Sequence, residues 1–253
     1  MDKELRVLAF KARAVDNRLR LILRQLIKDD YSLRRNSTIS LLLAIEKNMT
    51  AVFLLLGITV KGKHLGNYFK MPIGLLLRSC CINAITLSYL LSLDDASLEK
   101  EIKNRDYEYS GSMPDRLDVY RDQIRSVDED MTDDLINHLY ELGLEDWLSD
   151  GLHFEYNEKV HDLKASRPRG TLKREMGIED GKKIADMCKA VKDKVPSLEA
   201  INSYYRYFSQ YEHFSTRGFG DAFAKLDSDN IYLPGAIEAI EAWLDEESVK
   251  LHE

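Results

Sequence analysis

The chain has 253 residues, with 36 Lys and Arg against 43 Asp and Glu for a formal net charge of −7, and it is 44% hydrophobic and 31% charged. That balance fits a globular protein long enough to bury a sizeable core. It excludes a chain dominated by disorder and a nonspecific nucleic-acid coat, which binds by neutralising phosphates, and 13 glycines and 5 prolines are too few for a many-turned all-β architecture.

The opening stretch MDKELRVLAFKARAVDNR scatters charge where a signal peptide needs an apolar run, so a cytoplasmic location is expected. Apolar residues then recur at Leu5, Leu8, Ala12, Val15, Leu19, Ile22 and Leu26 in steps of three and four. This predicts a long amphipathic helix, which packs into a bundle core or serves dimerisation or partner binding. Asp29 to Ser32 predict its end, and Asn36 or Ser37 is placed to cap the next helix. That second helix carries Leu42, Ile45, Met49, Val52 and Leu56 on one face and is expected to stop near Gly57. Its segment ISLLLAIEKNMTAVFLLLGITV is cut by Glu46, Lys47 and Asn48, which are costly at the centre of a bilayer. It reads as a buried helix of a soluble protein, with no membrane partner.

ITVKGKHLGNYFKMP reads as a connector, after which Pro72 suits a helix start. The next helix, IGLLLRSCCINAITLSYLLSL, is apolar around nearly its whole circumference, as a central bundle helix is. Arg78 and Asn83 interrupt it, and the arginine either snorkels at the helix edge or is held by a polar cluster on a neighbouring helix. Past Leu93 the chain becomes highly charged, with 14 acids against 6 bases from Asp94 to Asp134. Later, KASRPRGTLKR brings Lys164, Arg167, Arg169, Lys173 and Arg174 with no acid, a solvated loop or a phosphate-binding patch. Helices are expected again near Ile184 to Val195, from Ser197 to about Ser215, and around Ile237, Ile240 and Trp243. The predicted fold is all-α: one helical domain with a core bundle over 1–93 and 180–253 and a helical insertion over about 94–175.

Most reactive-residue patterns lead to ordinary chemistry. Cys80, Cys81 and Cys188 have no Cys-x-x-Cys or metal spacing and read as reduced thiols. Glu158 and His161, with Glu155 nearby, form a single Glu-x-x-His pair, whereas a di-iron bundle needs two pairs and two further glutamates. A solvated helix face explains it. GFGD at Gly218 to Asp221 lacks the lysine and strand of a phosphate loop, and no Gly-x-Ser-x-Gly elbow exists.

The run YYRYFSQYEHFS, Tyr204 to Ser215, is the exception. Pro196 and Ser197 mark a helix start with Ser197 as N-cap. At helical spacing Ile201, Tyr204, Phe208 and Tyr211 share one side, and Asn202, Arg206, Ser209, Gln210 and His213 share the other. A solvent-facing stripe has the same coherence, but this one lacks the Lys and Glu that dress exposed helices and offers groups suited to anion and proton chemistry. Seven residues of helix separate Arg206 from His213 by about 10.5 Å. The long arginine side chain closes part of that gap, so both can reach one phosphodiester or act across a symmetric dimer.

Arg206, six residues, then His213 on a late helix of a helical bundle resembles the signature of the HEPN superfamily, which includes metal-independent ribonucleases of toxin, CRISPR-linked and antiphage systems. The Tyr205, Ser209, His213 spacing, with the earlier arginine helix LLRSCCINAITLSYLL, is also similar to bacterial helical families of HEPN-like character. The resemblance implies an endoribonuclease, a toxin or antiphage defence effector, that needs no metal or other cofactor. His213 would be the acid-base and Arg206 would stabilise charge on the phosphorus oxygens, both catalytic. Ser209 and Gln210, with Asn202 and Arg78, would contact substrate, and Arg167, Arg169, Lys173 and Arg174 would hold the RNA backbone. Expected partners are RNA, a second copy in a homodimer and a regulatory protein. The alternative is a catalytically inactive helical interaction or sensor module that binds a protein.

Overall fold

The computed structural model describes residues 2–26, 32–61, 66–111, 154–157, 162–165, 182–211 and 232–251. These residues form helices α1 (Asp2–Leu26), α2 (Leu33–Lys61), α3 (Gly66–Leu91), α4 (Asp95–Gly111), α5 (Ile184–Val191), α6 (Ser197–Ser209) and α7 (Tyr232–Leu251). The class is all-α. Two short strands, β1 (Phe154–Asn157) and β2 (Asp162–Ala165), pair antiparallel with Phe154 opposite Ala165 and Asn157 opposite Asp162. They correct the helical reading of that part of the insertion: Phe154 and Tyr156 alternate with polar residues at the period of a strand. Glu155 therefore sits in β1, and Glu158 and His161 lie outside the described residues. The chain divides into two compact units, Met1–Asp95 with Lys182–Glu253, and Ala96–Gly181.

In the first unit α3 is the central helix, packed by α2, α5, α6 and α7, while α1 packs on α2 and α7. The heptad-spaced residues Leu5, Leu8, Ala12, Val15, Leu19 and Ile22 are buried, as are Leu42, Ile45, Met49, Val52 and Leu56 of α2. On α3, Ile73, Leu77, Cys80, Cys81, Ala84, Ile85 and Leu87 are buried too. Trp243 of α7 is fully buried, and its indole N–H donates to Ser88 Oγ at 2.8 Å, the partner a buried indole needs.

The polar residues that cut the apolar helix join it to its neighbours. Glu46 accepts from Arg20 Nη2 of α1 at 2.8 Å, and Asn48 Nδ2 donates to Ser79 Oγ of α3 at 2.9 Å. Behind Glu46 lies Asp16, whose side chain is fully buried. It accepts from Arg13 Nη1 at 2.8 Å, Arg20 Nε at 3.1 Å and Thr50 Oγ1 at 2.7 Å. A buried carboxylate survives only when its lone pairs are met in this way. The hydrogen bond from Arg20 to Asp16, with the carboxylate's charge and then that of Glu46, raises the guanidinium pKa above its ordinary value. Arg13 also lies over the Phe53 ring, 5.0 Å from its centroid. The three levels Arg13 to Phe53, Asp16 to Thr50 and Arg20 to Glu46 fix an antiparallel α1–α2 hairpin.

Helix ends depart from the expected signals. α2 starts at Leu33, and Ser32 Oγ accepts from the Arg35 N–H at 3.2 Å, so Ser32 is the cap in place of Asn36 or Ser37. Arg34 and Arg35 then cap two other helices. Arg35 Nε donates to Leu26 O of α1 at 2.8 Å, and Arg34 Nη2 donates to Leu93 O just past α3 at 2.8 Å. Carbonyls at a helix C-terminus lack intrahelical donors and favour cations, which these two arginines supply. α2 also runs through Gly57 to Lys61, and α3 begins at Gly66, before Pro72. The two helices thus take up all of the expected connector except residues 62–65, which lie outside the described residues, and Pro72 sits inside α3 at the cost of one backbone hydrogen bond.

Burial of α2 is also less complete than its composition predicts. Both Leu33–Thr59 and Phe69–Leu91 are long and apolar enough to cross a membrane, yet only 28% of the first window is buried against 67% of the second. The face of α2 away from the core leaves Leu33, Leu54 and Ile58 exposed.

Two glycines make opposite predictions. A Cβ at Gly57 meets nothing within 4 Å, so Gly57→Ala, which removes a flexible residue from a helix interior, should stabilise the fold by about 0.5–1 kcal/mol. A Cβ at Gly74 would overlap the Tyr211 ring and lie 3.1 Å from Phe208 Cδ1, so Gly74→Ala should cost about 1–3 kcal/mol. Urea unfolding of both variants checks the pair.

Candidate functional site

The aromatic run begins on α6, whose N-terminus is held from outside. Pro196 occupies the cap position without a side-chain bond, and Glu246 of α7 accepts from the Ser197 N–H at 3.1 Å and from its hydroxyl at 2.7 Å. A carboxylate there meets free amides and the positive end of the helix dipole. Ser197 is thus the first helical residue and not the cap.

Regular helix ends at Ser209. Gln210 N–H bonds Tyr207 O at 3.2 Å and Tyr211 N–H bonds Phe208 O at 3.0 Å, the three-residue spacing that tightens a last turn. Regular helix thus stops short of the expected end near Ser215, and residues 212–215 lie outside the described residues. His213 lies outside the described residues, as do Arg167, Arg169, Lys173 and Arg174.

The aromatic side chains of the run lock α6 into the bundle. Phe208 and Tyr211 are buried and press on Gly74 of α3, where the missing Cβ makes room. Tyr204 fits against Gly235 of α7 in the same manner. Tyr207 stacks on Tyr232 of α7 with ring centroids 3.6 Å apart and planes inclined by 9°. Close approach of helices at glycine is what allows such large rings between them.

Tyr205 has a different partner. Arg78 of α3 places its guanidinium carbon 5.4 Å from the Tyr205 ring centroid, and its Nε donates to Ser209 Oγ at 3.0 Å. Of the two readings for Arg78, the neighbouring-helix cluster is the one observed. Ser209 in turn donates its proton to Tyr205 O at 2.7 Å. The hydroxyl thus has its proton committed and accepts from Arg78, forming a brace between α3 and the end of α6.

The remaining members of the polar stripe separate by exposure. Asn202, one turn before Tyr205, is half-buried, and its Oδ1 is buried with no hydrogen-bond partner. Arg206 and Gln210 are exposed. Arg206 forms no ion pair with a described residue, whereas Arg13, Arg18, Arg20, Arg34 and Arg105 each meet a carboxylate. The structure therefore brings Arg78 and Ser209 together, sets Asn202 one turn away, and leaves Arg206 and Gln210 towards solvent. Tyr205 enters the sequence reading through its spacing to Ser209 and His213, whereas its contact with Arg78, which spans more than a hundred residues of sequence, has no local signal.

The three thiols are buried. Burial, with the neighbouring Cys81 adding to it, pushes the Cys80 thiol well above its ordinary range, and burial pushes Cys81 up to about 12. Both stay protonated and unreactive at neutral pH. Among the described residues no three His, Cys, Asp or Glu side chains gather in a metal-ligating group.

No protein-family model matches the chain, and neither the curated proteins nor the solved structures give a match.

The Arg78 brace is testable by mutation. Arg78→Ala should destabilise the protein by about 1–3 kcal/mol through loss of a hydrogen bond and a cation–π contact. Arg78→Lys should recover less than half of that loss, because an ammonium cannot reproduce the Nε–H direction while its charge faces the ring. Chemical denaturation of the two variants distinguishes a directional brace from a merely positive side chain.

Proposed function

We propose that the chain is a HEPN-like, metal-independent endoribonuclease whose reactive edge lies at the C-terminal end of α6. The observation that carries this reading is Arg206, an exposed guanidinium without an ion-pair partner among the described residues, at the end of a helix braced by Arg78 and Ser209. An unpaired arginine on a fixed element is suited to a phosphodiester, which it meets with two parallel N–H donors.

In the proposed reaction His213 takes the proton from a ribose 2′-hydroxyl. The 2′-oxygen then attacks phosphorus, the bond to the 5′-oxygen breaks, and a proton returns to that leaving oxygen. The products are a 2′,3′-cyclic phosphate and a 5′-hydroxyl. Arg206 stabilises the charge that builds on the non-bridging oxygens. Gln210, exposed one turn after Arg206, supplies polar contacts to the ribose or base. On this reading the protein is a cytoplasmic toxin or defence effector, working as a homodimer and held in check by a regulatory protein.

The second reading, a catalytically inactive interaction module, is favoured by a different observation. The Ser209 hydroxyl is spent on internal bonds, while α1 and α2 expose apolar side chains away from the core.

Cleavage of total RNA and tRNA in EDTA by wild type, Arg206→Ala and His213→Ala decides between them. The nuclease reading predicts cyclic-phosphate ends from wild type and a loss of about a hundredfold or more in His213→Ala. Folded wild-type protein that cleaves no better than either variant would transfer the conclusion to the interaction module.

A further inference from the structure

The outward face of the α1–α2 hairpin carries an inference that does not depend on whether the Arg206 edge is catalytic. On α1, opposite the buried stripe, the exposed residues Val7, Phe10, Ala14, Asn17, Leu21 and Arg24 recur at steps of three and four. Phe10 is 75% exposed and Leu21 59%. On α2, Leu54 is 55% exposed, and Ile58 follows one turn later. The antiparallel register set by Arg13 with Phe53 and Asp16 with Thr50 puts Val7 and Phe10 at the same end of the hairpin as Leu54 and Ile58. Both helices turn their buried stripes to one core, so these residues share the side that faces away from it.

Charge on α1 is one-sided. α1 holds seven Lys or Arg (Lys3, Arg6, Lys11, Arg13, Arg18, Arg20, Arg24) and three acids (Asp2, Glu4, Asp16), a balance of 7 − 3 = +4 in a chain of net −7. Most of its cations are already engaged: Lys11 with Glu238, Arg18 with Asp245, and Arg13 and Arg20 with Asp16. Lys3, Arg6 and Arg24, and Lys47 of α2, are exposed and form no ion pair with a described residue. Among the described residues Glu4 is an exposed acid on α1. A second copy docked face to face would set cations against cations. A surface that is flat, apolar beneath and negative above fits both features.

We propose that this face docks on the surface of an anionic lipid bilayer, with Val7, Phe10, Leu54 and Ile58 entering the headgroup boundary and Lys3, Arg6, Arg24 and Lys47 meeting lipid phosphates and carboxylates. Basic side chains around exposed aromatic and aliphatic ones are the pattern of helices that lie in the interface plane. α1, at 25 residues, offers about 37 Å of such a helix. Docking of this kind leaves Glu46 and Asn48 in their bonds to α1 and α3, so the polar cut that argues against a spanning α2 does not oppose it. The expectation of no membrane partner is revised accordingly, from no contact to peripheral contact.

The test is co-sedimentation of the full chain with vesicles of phosphatidylcholine and with vesicles of phosphatidylcholine mixed with phosphatidylserine. Binding to the mixed vesicles alone is expected, weakening as salt rises. Phe10→Ser with Leu54→Ser should reduce it by about tenfold or more, as loss of two buried apolar side chains requires. Arg6→Glu with Arg24→Glu should abolish the preference for phosphatidylserine. Far-ultraviolet circular dichroism verifies that these exposed substitutions leave the helices intact. No binding to either vesicle, equal binding to both, or unchanged binding by the variants would overturn the proposal. So would a wild-type dimer in solution that Phe10→Ser with Leu54→Ser converts to monomer, since a second copy would then own the face.

Discussion

A carboxylate buried between two helices constrains much of what surrounds it. Asp16 is shut from water in the α1–α2 contact, and Arg13, Arg20 and Thr50 donate the bonds that replace water there. Apolar contacts tolerate sliding of one helix along another, whereas three directed bonds to one carboxylate do not. The register they select turns Leu8, Ala12, Val15 and Leu19 towards the same core as Ile45, Met49 and Val52. By exclusion it also selects the residues left outside, Val7, Phe10, Leu54 and Ile58, from which an interfacial role follows.

A second constraint works through shape. α6 carries four aromatic side chains in five residues, with Tyr211 just past its end, and α3 and α7 receive Tyr204, Phe208 and Tyr211 by omitting a side chain at Gly74 and Gly235. Tyr204 and Tyr207 point to α7, and Phe208 and Tyr211 to α3. The run therefore fixes the position of α6, and with it the exposed Arg206. Packing and proposed chemistry are linked here: the more tightly the tyrosines seat the helix, the more firmly a guanidinium at its end is placed. Preorganisation of that kind is what an anion-stabilising group requires.

Apolar periodicity made much of this architecture legible in the sequence. Steps of three and four on α1, and the stripe from Leu42 to Leu56 on α2, name core residues because burial follows helical geometry directly. Helix ends were less legible, since Ser32, Arg35 and Glu246 compete for free backbone groups through contacts that local signals do not contain. Gly57 read as a stop, but a glycine facing open space ends nothing once the flanking residues are packed. Asp16 escaped notice because a lone acid on an amphipathic helix looks like solvent-facing charge, and its partner Thr50 is 34 residues away. Likewise the α6 stripe was coherent as a pattern, yet its members divide between a brace to α3 and open solvent. Spacing gives the face of a helix and leaves open what that face meets.

The most direct test of this account is the unfolding free energy of Asp16→Ala, measured by urea denaturation at neutral pH beside wild type. If the buried carboxylate sets the hairpin register, its removal leaves two arginines and a threonine without their common acceptor. The loss should then be about 3–5 kcal/mol. A variant within about 0.5 kcal/mol of wild type would behave like a surface substitution. It would show that apolar packing alone aligns α1 with α2, and that the face assigned to the bilayer is not fixed by Asp16.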